Sequence, residues 1–178
     1  MGKATQRLIL WLNRSYKTPE WFDAVNRSEA EALELSIRSG EVVYSQFRGY
    51  NDFRGKVILD YGCGIGGKTI YYAAQGAKLA VGVDFQRNHD VALKYAKARN
   101  LPLQYIYLRE DGSIDLGNET VDVIISSSVF EHLTDTEYSL REMKRVLRPG
   151  GFLLNRWNPY RTRYGSHLNA VLGVPFVH

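Results

Sequence analysis

The fold is decided by one stretch of sequence, VILDYGCGIGG, which runs from Val57 to Gly67. Its first residues are mostly large and apolar, which is typical of a strand buried on both faces of a parallel sheet. Glycines follow, and glycine lets the chain turn tightly and lets a ligand approach the main chain closely. The helix that we predict next, at 69–75, offers unpaired N–H groups at its start. The stretch therefore predicts a strand, a ligand-binding turn and a helix.

The rest of the chain alternates between strand and helix patterns. Further strands are predicted at 78–84, 103–108, 121–126 and 152–155, and helices at 87–100 and 135–147, where Arg148-Pro149-Gly150-Gly151 ends the second helix. This alternation is typical of βαβ units, in which helices cover both faces of a parallel sheet. We therefore predict an α/β protein with a Rossmann-like three-layer sandwich and a mainly parallel sheet.

The residues before the first strand have a different pattern. Residues 1–17 predict a short basic helix, and residues 19–50 predict mostly helix with a break near Ser39-Gly40. We divide the chain into an N-terminal helical region, residues 1–55, and a sheet domain, residues 56–178.

Composition and charge exclude several classes of protein. Aromatic residues make up 12% of the 178 residues, which excludes a disordered chain. One cysteine excludes a disulfide scaffold, and the apolar run at 8–12 is too short to span a membrane, so we expect a cytoplasmic protein without a transmembrane segment.

Seven basic residues and one acid lie between 141 and 178. We interpret this charge as a solvated face, although it could attract phosphates, and we do not expect a nucleic-acid partner.

Acidic residues follow three of the predicted strands. Asp60 stands two residues before the first glycine, where a carboxylate can reach a ligand ammonium but would repel a pyrophosphate. Asp84 can accept hydrogen bonds from two ribose hydroxyls, a feature shared with NAD sites. Glu110-Asp111 can accept a bond from an adenine amino group. Together these acids favour S-adenosylmethionine over a dinucleotide.

Two later motifs, Glu131-His132-Leu133 and Arg148-Pro149-Gly150-Gly151, complete an ordered set. From residue 57 to residue 155 the set resembles the class I S-adenosylmethionine-dependent methyltransferase family, in particular its small-molecule branch (methyltransferase type 11-like). The resemblance implies the sheet order 3-2-1-4-5, S-adenosylmethionine as cofactor, S-adenosylhomocysteine as product, and methyl transfer to a small-molecule acceptor by in-line displacement. It implies these cofactor-binding residues: Asp60, Gly62, Cys63, Gly64, Gly66, Asp84, Phe85, Glu110, Asp111, Ser126 and Ser127.

On the acceptor side, the resemblance indicates Glu131 and His132 as candidate catalytic residues, although a purely structural role for His132 is the simpler interpretation. Quinone-pathway relatives carry a further Glu three residues before this pair; Ser128 stands there, so we expect no metal. Tyr160 and His167 are candidate acceptor-pocket residues, and the N-terminal region is a candidate lid. His89 is expected at the surface.

Several alternatives stay open at this stage. Gly62-x4-Gly67-Lys68-Thr69 formally matches a P-loop, and an NAD-dependent oxidoreductase uses a similar turn. The family has seven strands and we count five, so the chain lacks the last two and is either truncated or completed at its sheet edge by a partner. A cofactor-binding but inactive module that regulates a partner is therefore a further hypothesis. The oligomeric state is not predicted.

Overall fold

The computed structural model describes residues 28–47, 49–50 and 52–156. The helix predicted at 1–17 and the candidate acceptor residues Tyr160 and His167 lie outside these ranges. The helices are α1 (Glu29–Gln46), α2 (Gly67–Ala74), α3 (Asp90–Ala98) and α4 (Thr136–Val146), with a short 3-10 helix at Phe130–His132. The strands are β1 (Val57–Tyr61), β2 (Leu79–Asp84), β3 (Leu103–Tyr107), β4 (Val121–Ser127) and β5 (Leu147–Arg156).

The five strands form one sheet in the order β3-β2-β1-β4-β5, and every neighbouring pair is parallel. The predicted α/β class, the parallel sheet and its order are confirmed. In the register of the central strands, Tyr61 lies beside Val83 on one side and Ser126 on the other. The carboxyl ends of the strands therefore meet at one edge, which is where open α/β sheets bind ligands.

Helices cover both faces of this sheet. On one face, Leu59 and Ile124 belong to a buried cluster with Met143 of α4. On the other face, Ile58 belongs to a cluster with Val43 of α1 and Tyr72 of α2. The alternation of side chains along each strand separates the two clusters, as expected for a three-layer sandwich.

The predicted break near Ser39-Gly40 is wrong, because α1 runs through it without interruption. Gly40 is buried against α2, and a Cβ atom there would stand 2.7 Å from the Cβ of Tyr71. The glycine therefore permits close packing of two helices. A capping box starts α1: the Ser28 hydroxyl accepts from the Glu31 N–H, and the Glu31 carboxylate accepts from the Ser28 N–H at 2.9 Å.

The start of the fifth strand is also predicted wrongly. β5 begins at Leu147, directly after α4, and includes the residues 148–151 that we expected to end the helix. Leu147 pairs with Val121, whereas Phe152 pairs with Val123, so the register shifts between these pairs. Gly150 has a φ of +80° there, and the extra residues form an irregularity that a β-strand can contain. No helix in the described part of the chain has both the length and the apolarity of a membrane span.

Candidate functional site

The glycine turn connects β1 to α2 at the carboxyl edge of the sheet. Gly62 and Gly66 have φ angles of +75° and +89°, which glycine adopts without strain. A side chain at Gly62 would overlap Val129, and one at Gly66 would overlap Tyr105. The N–H of Gly66 donates to the carbonyl of Cys63 at 3.0 Å and closes the turn. Both the backbone angles and the neighbours therefore require glycine at these positions.

Asp84 ends β2 and is hydrogen-bonded to the turn. Its Oδ2 accepts from the N–H of Gly64 at 2.8 Å, and its Oδ1 accepts from the N–H of Gln86 at 3.0 Å. Phe85 follows, with 63% of its surface exposed. A carboxylate beside a flat exposed ring suits a ribose and the base attached to it.

Asp60 lies at the base of the same turn and is completely buried. Its Oδ2 accepts from the hydroxyl of Thr69 at 2.7 Å, while its Oδ1 has no partner within the described residues. Burial raises the pKa of Asp60 above its ordinary value, and the charge of Lys68 and the bond from Thr69 act in the opposite direction. The Oδ1 of Asp60 is therefore a buried oxygen that no described residue engages.

The bond between Thr69 and Asp60 contradicts the P-loop alternative. In a P-loop, the hydroxyl at this position binds Mg²⁺, and the open loop surrounds the phosphates of the nucleotide. Here the Thr69 hydroxyl is buried and bound to a carboxylate, and the turn closes tightly through Cys63 and Gly66.

The acids after β3 differ in their surroundings. The Oδ1 of Asp111 accepts from the N–H of Ser113 at 2.9 Å. The side chain of Ser113 first, and this backbone bond second, lower the pKa of Asp111 below its ordinary value. Glu110 is exposed, and its carboxylate has no hydrogen bond to any described residue. Of the two residues, Glu110 is the better candidate to accept a bond from a base.

The end of β4 carries buried polar groups. Ser126 and Ser127 are buried, and the Ser126 hydroxyl has no partner among the described residues. Asn155 of β5 pairs with Ser126 in the register of the sheet. Its side-chain oxygen is also buried and has no hydrogen-bond partner among the described residues. Ser128 has a φ of +59°, an uncommon angle outside glycine that is often found at functional sites. Sequence reasoning missed Asn155 as a site residue. It also missed the positive φ of Ser128, because three consecutive serines do not indicate an unusual backbone angle.

Glu131 and His132 lie in the 3-10 helix that follows β4; Glu131 is half-buried and His132 is exposed. The structure thus puts the candidate catalytic pair after the same strand end as Ser126 and Ser127. In the described part of the chain, no group of three His, Cys, Asp or Glu residues could hold a metal ion.

The expectation that His89 lies at the surface is wrong. Only 1% of its surface is exposed, because its ring stacks on Tyr105 of β3. Its Nε2 lies 2.7 Å from the carbonyl oxygen of Gly64 and 3.5 Å from the Sγ of Cys63. Burial raises the pKa of the Cys63 thiol, so a nucleophilic thiolate is not favoured there, in agreement with the sequence analysis.

Comparison with known proteins identifies the class that this fold and turn define. The methyltransferase-domain family matches residues 59–155, which is more than half of the chain. The chain therefore belongs to that family, and the resemblance to class I S-adenosylmethionine-dependent methyltransferases is confirmed.

Individual relatives agree with this assignment. The chain is 31% identical to the ubiquinone biosynthesis O-methyltransferase of Rhizobium rhizogenes (strain K84 / ATCC BAA-868) over 96 residues, which are 54% of this chain and 38% of that protein. It is 33% identical to protein arginine N-methyltransferase 1 of Dictyostelium discoideum over 108 residues, 57% of this chain and 31% of that one. The matched part of the chain thus spans well under half the length of each of these two relatives.

A solved structure shares the fold. The phosphoethanolamine N-methyltransferase 2 of Haemonchus contortus, in complex with S-adenosyl-L-methionine, superimposes with a TM-score of 0.57 at 25% identity. The match covers 66% of this chain and 27% of that chain.

Proposed function

We propose that this protein uses S-adenosylmethionine to methylate a small-molecule acceptor. The observation that carries the proposal is the bond between Asp84 and the N–H of Gly64, which joins the ribose acid to the glycine turn. Family membership supports the proposal. It is also supported by buried oxygens without partners among the described residues, on Asp60, Ser126 and Asn155, because buried polar atoms ordinarily have partners.

Each predicted cofactor residue receives a role in this proposal. Asp84 would bind the ribose hydroxyls, while Phe85 and Glu110 would contact the adenine. Asp60 would accept the ammonium of the methionine part at the base of the turn. The backbone of the turn would contact the cofactor closely at Gly62, Cys63, Gly64 and Gly66. Ser126 and Ser127 would lie near the transferred methyl, and Asp111, whose carboxylate is engaged with Ser113, would shape the adenine loop.

The chain contributes mainly position to the reaction. Bound S-adenosylmethionine would supply a methyl group activated on a sulfonium, and its displacement by the acceptor would leave S-adenosylhomocysteine with the sulfur's electron pair. In-line displacement demands alignment, which the strand ends and the turn provide. An acceptor hydroxyl must also lose a proton, and we propose His132 as its base because His132 is exposed beside the strand end, with Glu131 next to it.

The acceptor class rests on the ubiquinone biosynthesis relatives, which are O-methyltransferases. Tyr160 and His167 stay candidate acceptor residues. The division into residues 1–55 and 56–178, with the first part as a lid, stays a proposal. Within the first part, α1 packs on the start of α2, where a side chain at Gly67 would stand 2.7 Å from the backbone of Ile37. A cytoplasmic location, suggested by the single cysteine, and a partner pairing with β5 also belong to the proposal.

Calorimetric titration with S-adenosylhomocysteine tests the cofactor site. The wild type and Asp84→Asn are compared with Asp52→Asn, a matched control at an exposed carboxylate paired with Arg54. We expect micromolar binding by the wild type and the control, and a loss of at least about tenfold in Asp84→Asn, because two charge-assisted contacts disappear. A folded wild type that binds no S-adenosylhomocysteine would contradict the proposal. Tight binding without methyl transfer to catechol-type, amine or phosphoethanolamine acceptors would favour the inactive module.

A further inference from the structure

A buried ring, His89, and a half-buried ring, Tyr105, stack beneath the glycine turn. The rings of His89 and Tyr105 have centroids 4.2 Å apart and planes inclined by 9°. Tyr107, the last residue of β3, stacks more loosely on His89 at 5.8 Å. His89 comes from the segment after β2 and Tyr105 from β3, so the stack ties together two strand ends next to the turn.

Each ring of this pair holds one carbonyl oxygen of the turn. The Nε2 of His89 lies 2.7 Å from the oxygen of Gly64, and the hydroxyl of Tyr105 donates to the oxygen of Gly66 at 2.8 Å. A carbonyl oxygen only accepts, so the Nε2 of His89 must carry the proton. The same N–H cannot accept from Cys63, whose thiol instead points at the Gly64 oxygen at 3.8 Å.

The surroundings are shaped to fit this pair. A side chain at Gly66 or at Gly82 of β2 would overlap the ring of Tyr105. Burial raises the pKa of the Tyr105 phenol, which keeps the hydroxyl protonated as a donor. Glycine at these two positions therefore leaves the space that the ring of Tyr105 occupies.

Gly64 is consequently held at both of its polar atoms. Its N–H donates to Asp84 and its carbonyl accepts from His89, so the peptide planes on either side of this residue are restrained. We infer that His89, supported by Tyr105, is a positioning residue that fixes Gly64 and through it orients the ribose-binding carboxylate of Asp84. The inference rests on the proposed function, and it assigns the stacked pair a role in cofactor affinity.

The test uses variants that separate the ring from its donor. His89→Phe keeps a stacking ring and loses the N–H, whereas His89→Gln keeps an amide donor near the position of Nε2 and loses the ring. Tyr105→Phe removes only the hydroxyl. Tyr95→Phe is the matched control, because Tyr95 of α3 packs in the same region and its hydroxyl bonds to no described residue.

Two readouts are taken on the full chain: amide hydrogen exchange of the peptide at 62–66 without cofactor, and calorimetric affinity for S-adenosylhomocysteine. In His89→Phe we expect faster exchange of this peptide and a Kd raised about tenfold, the typical effect of one lost buried hydrogen bond. Tyr105→Phe should act in the same direction, while His89→Gln should stay within about threefold of the wild type. Tyr95→Phe should change neither readout.

The outcomes separate this inference from a general structural role. A lower melting temperature of His89→Phe with unchanged exchange at 62–66 and unchanged Kd would overturn it. If His89→Phe does not fold, Tyr105→Phe decides by the same two readouts. A wild type that binds no S-adenosylhomocysteine refutes the proposed function and the role in affinity together. Normal binding by the wild type and by both donor-deleting variants refutes the positioning role alone.

Discussion

Replacement of Gly62 by alanine should destabilise the protein more than the same change at Gly64, although both glycines lie in one turn. Gly62 and Gly64 have φ angles of +75° and +57°, so each alanine must adopt a left-handed backbone, at a cost of about 1–2 kcal/mol. A Cβ at Gly64 would meet no atom within 4 Å, whereas one at Gly62 would overlap the side chain of Val129. Overpacking of that kind costs about 1–3 kcal/mol in addition.

The expected loss in the free energy of unfolding is therefore about 1–2 kcal/mol for Gly64→Ala and about 2–5 kcal/mol for Gly62→Ala. Urea unfolding followed by circular dichroism measures both. Val129→Ala in the Gly62→Ala background removes the overlapping methyl groups, so the double variant should recover about 1–3 kcal/mol relative to additivity.

Equal losses in the two glycine variants would refute the steric part of this reasoning. Strict additivity of Gly62→Ala and Val129→Ala would refute it independently, because a clash between two side chains must disappear when one of them is shortened. Loss of the chain's sheet signal in Gly62→Ala alone would still agree with the larger predicted cost.

Three further changes have outcomes that follow from the structure. Arg145→Met should lower the free energy of unfolding by about 2 kcal/mol at neutral pH, since Arg145 bonds Glu142 at 2.7 Å and two loop carbonyls at 2.8 Å. The bond to Arg145 lowers the pKa of Glu142, so its contribution is present above the unfolded pKa and is lost on acidification. The urea midpoints of wild type and variant should therefore move closer together in acid, and the difference due to the two carbonyl bonds should remain. Asp60→Asn should be more stable than the wild type at neutral pH but bind S-adenosylhomocysteine at least about tenfold more weakly, because burial raises the pKa of Asp60 and penalises its charged form. The stability gain should vanish below the unfolded pKa, and persistence of the gain in acid would contradict this cause. Ser128→Gly should raise the melting temperature, with a gain of about 0.5–1 kcal/mol from relief of the φ of +59°, and an unchanged melting curve would indicate an unstrained serine.

The parts of the fold that sequence reasoning predicted depend on local pattern. Each strand is a short apolar run next to a turn, whereas the order β3-β2-β1-β4-β5 could be expected only from the family that the ordered motifs resemble. The turn and Asp84 depend on local pattern as well, since the position of Asp84 at the end of β2 can be read from the sequence. Their mutual hydrogen bond then follows from the adjacency of β1 and β2.

Two of the failures, at Gly40 and at His89, share a different cause, which is contact between residues distant in sequence. Gly40 has the local character of a helix breaker, but the packing of Tyr71 determines its role. His89 is polar and stands between exposed neighbours, and only the ring of Tyr105 from β3 explains its burial. Tertiary packing overrides local preference in both cases, and neither contact leaves a periodic signal in the chain.

The positions of several unsatisfied polar atoms favour a ligand at the carboxyl edge of the sheet. Among the described residues, buried acceptor or hydroxyl oxygens without partners include a group at the ends of three neighbouring strands, on Asp60, Ser126 and Asn155, in addition to the hydroxyls of Tyr72 and Ser113 elsewhere. Each such atom costs about 1–3 kcal/mol in a folded protein, a large fraction of the marginal stability of a domain. A core that served packing alone would carry apolar residues at these positions. Two residues earlier on β1 and β4, the core does carry apolar residues, Ile58 and Ile124. The cost is reduced when a ligand supplies the missing partners, so binding of S-adenosylhomocysteine should stabilise the fold through satisfaction of these atoms as well as through mass action. Substitution of Ser126 by alanine removes one of the atoms, and it should raise the stability of the free protein while it diminishes the stabilisation that the ligand confers.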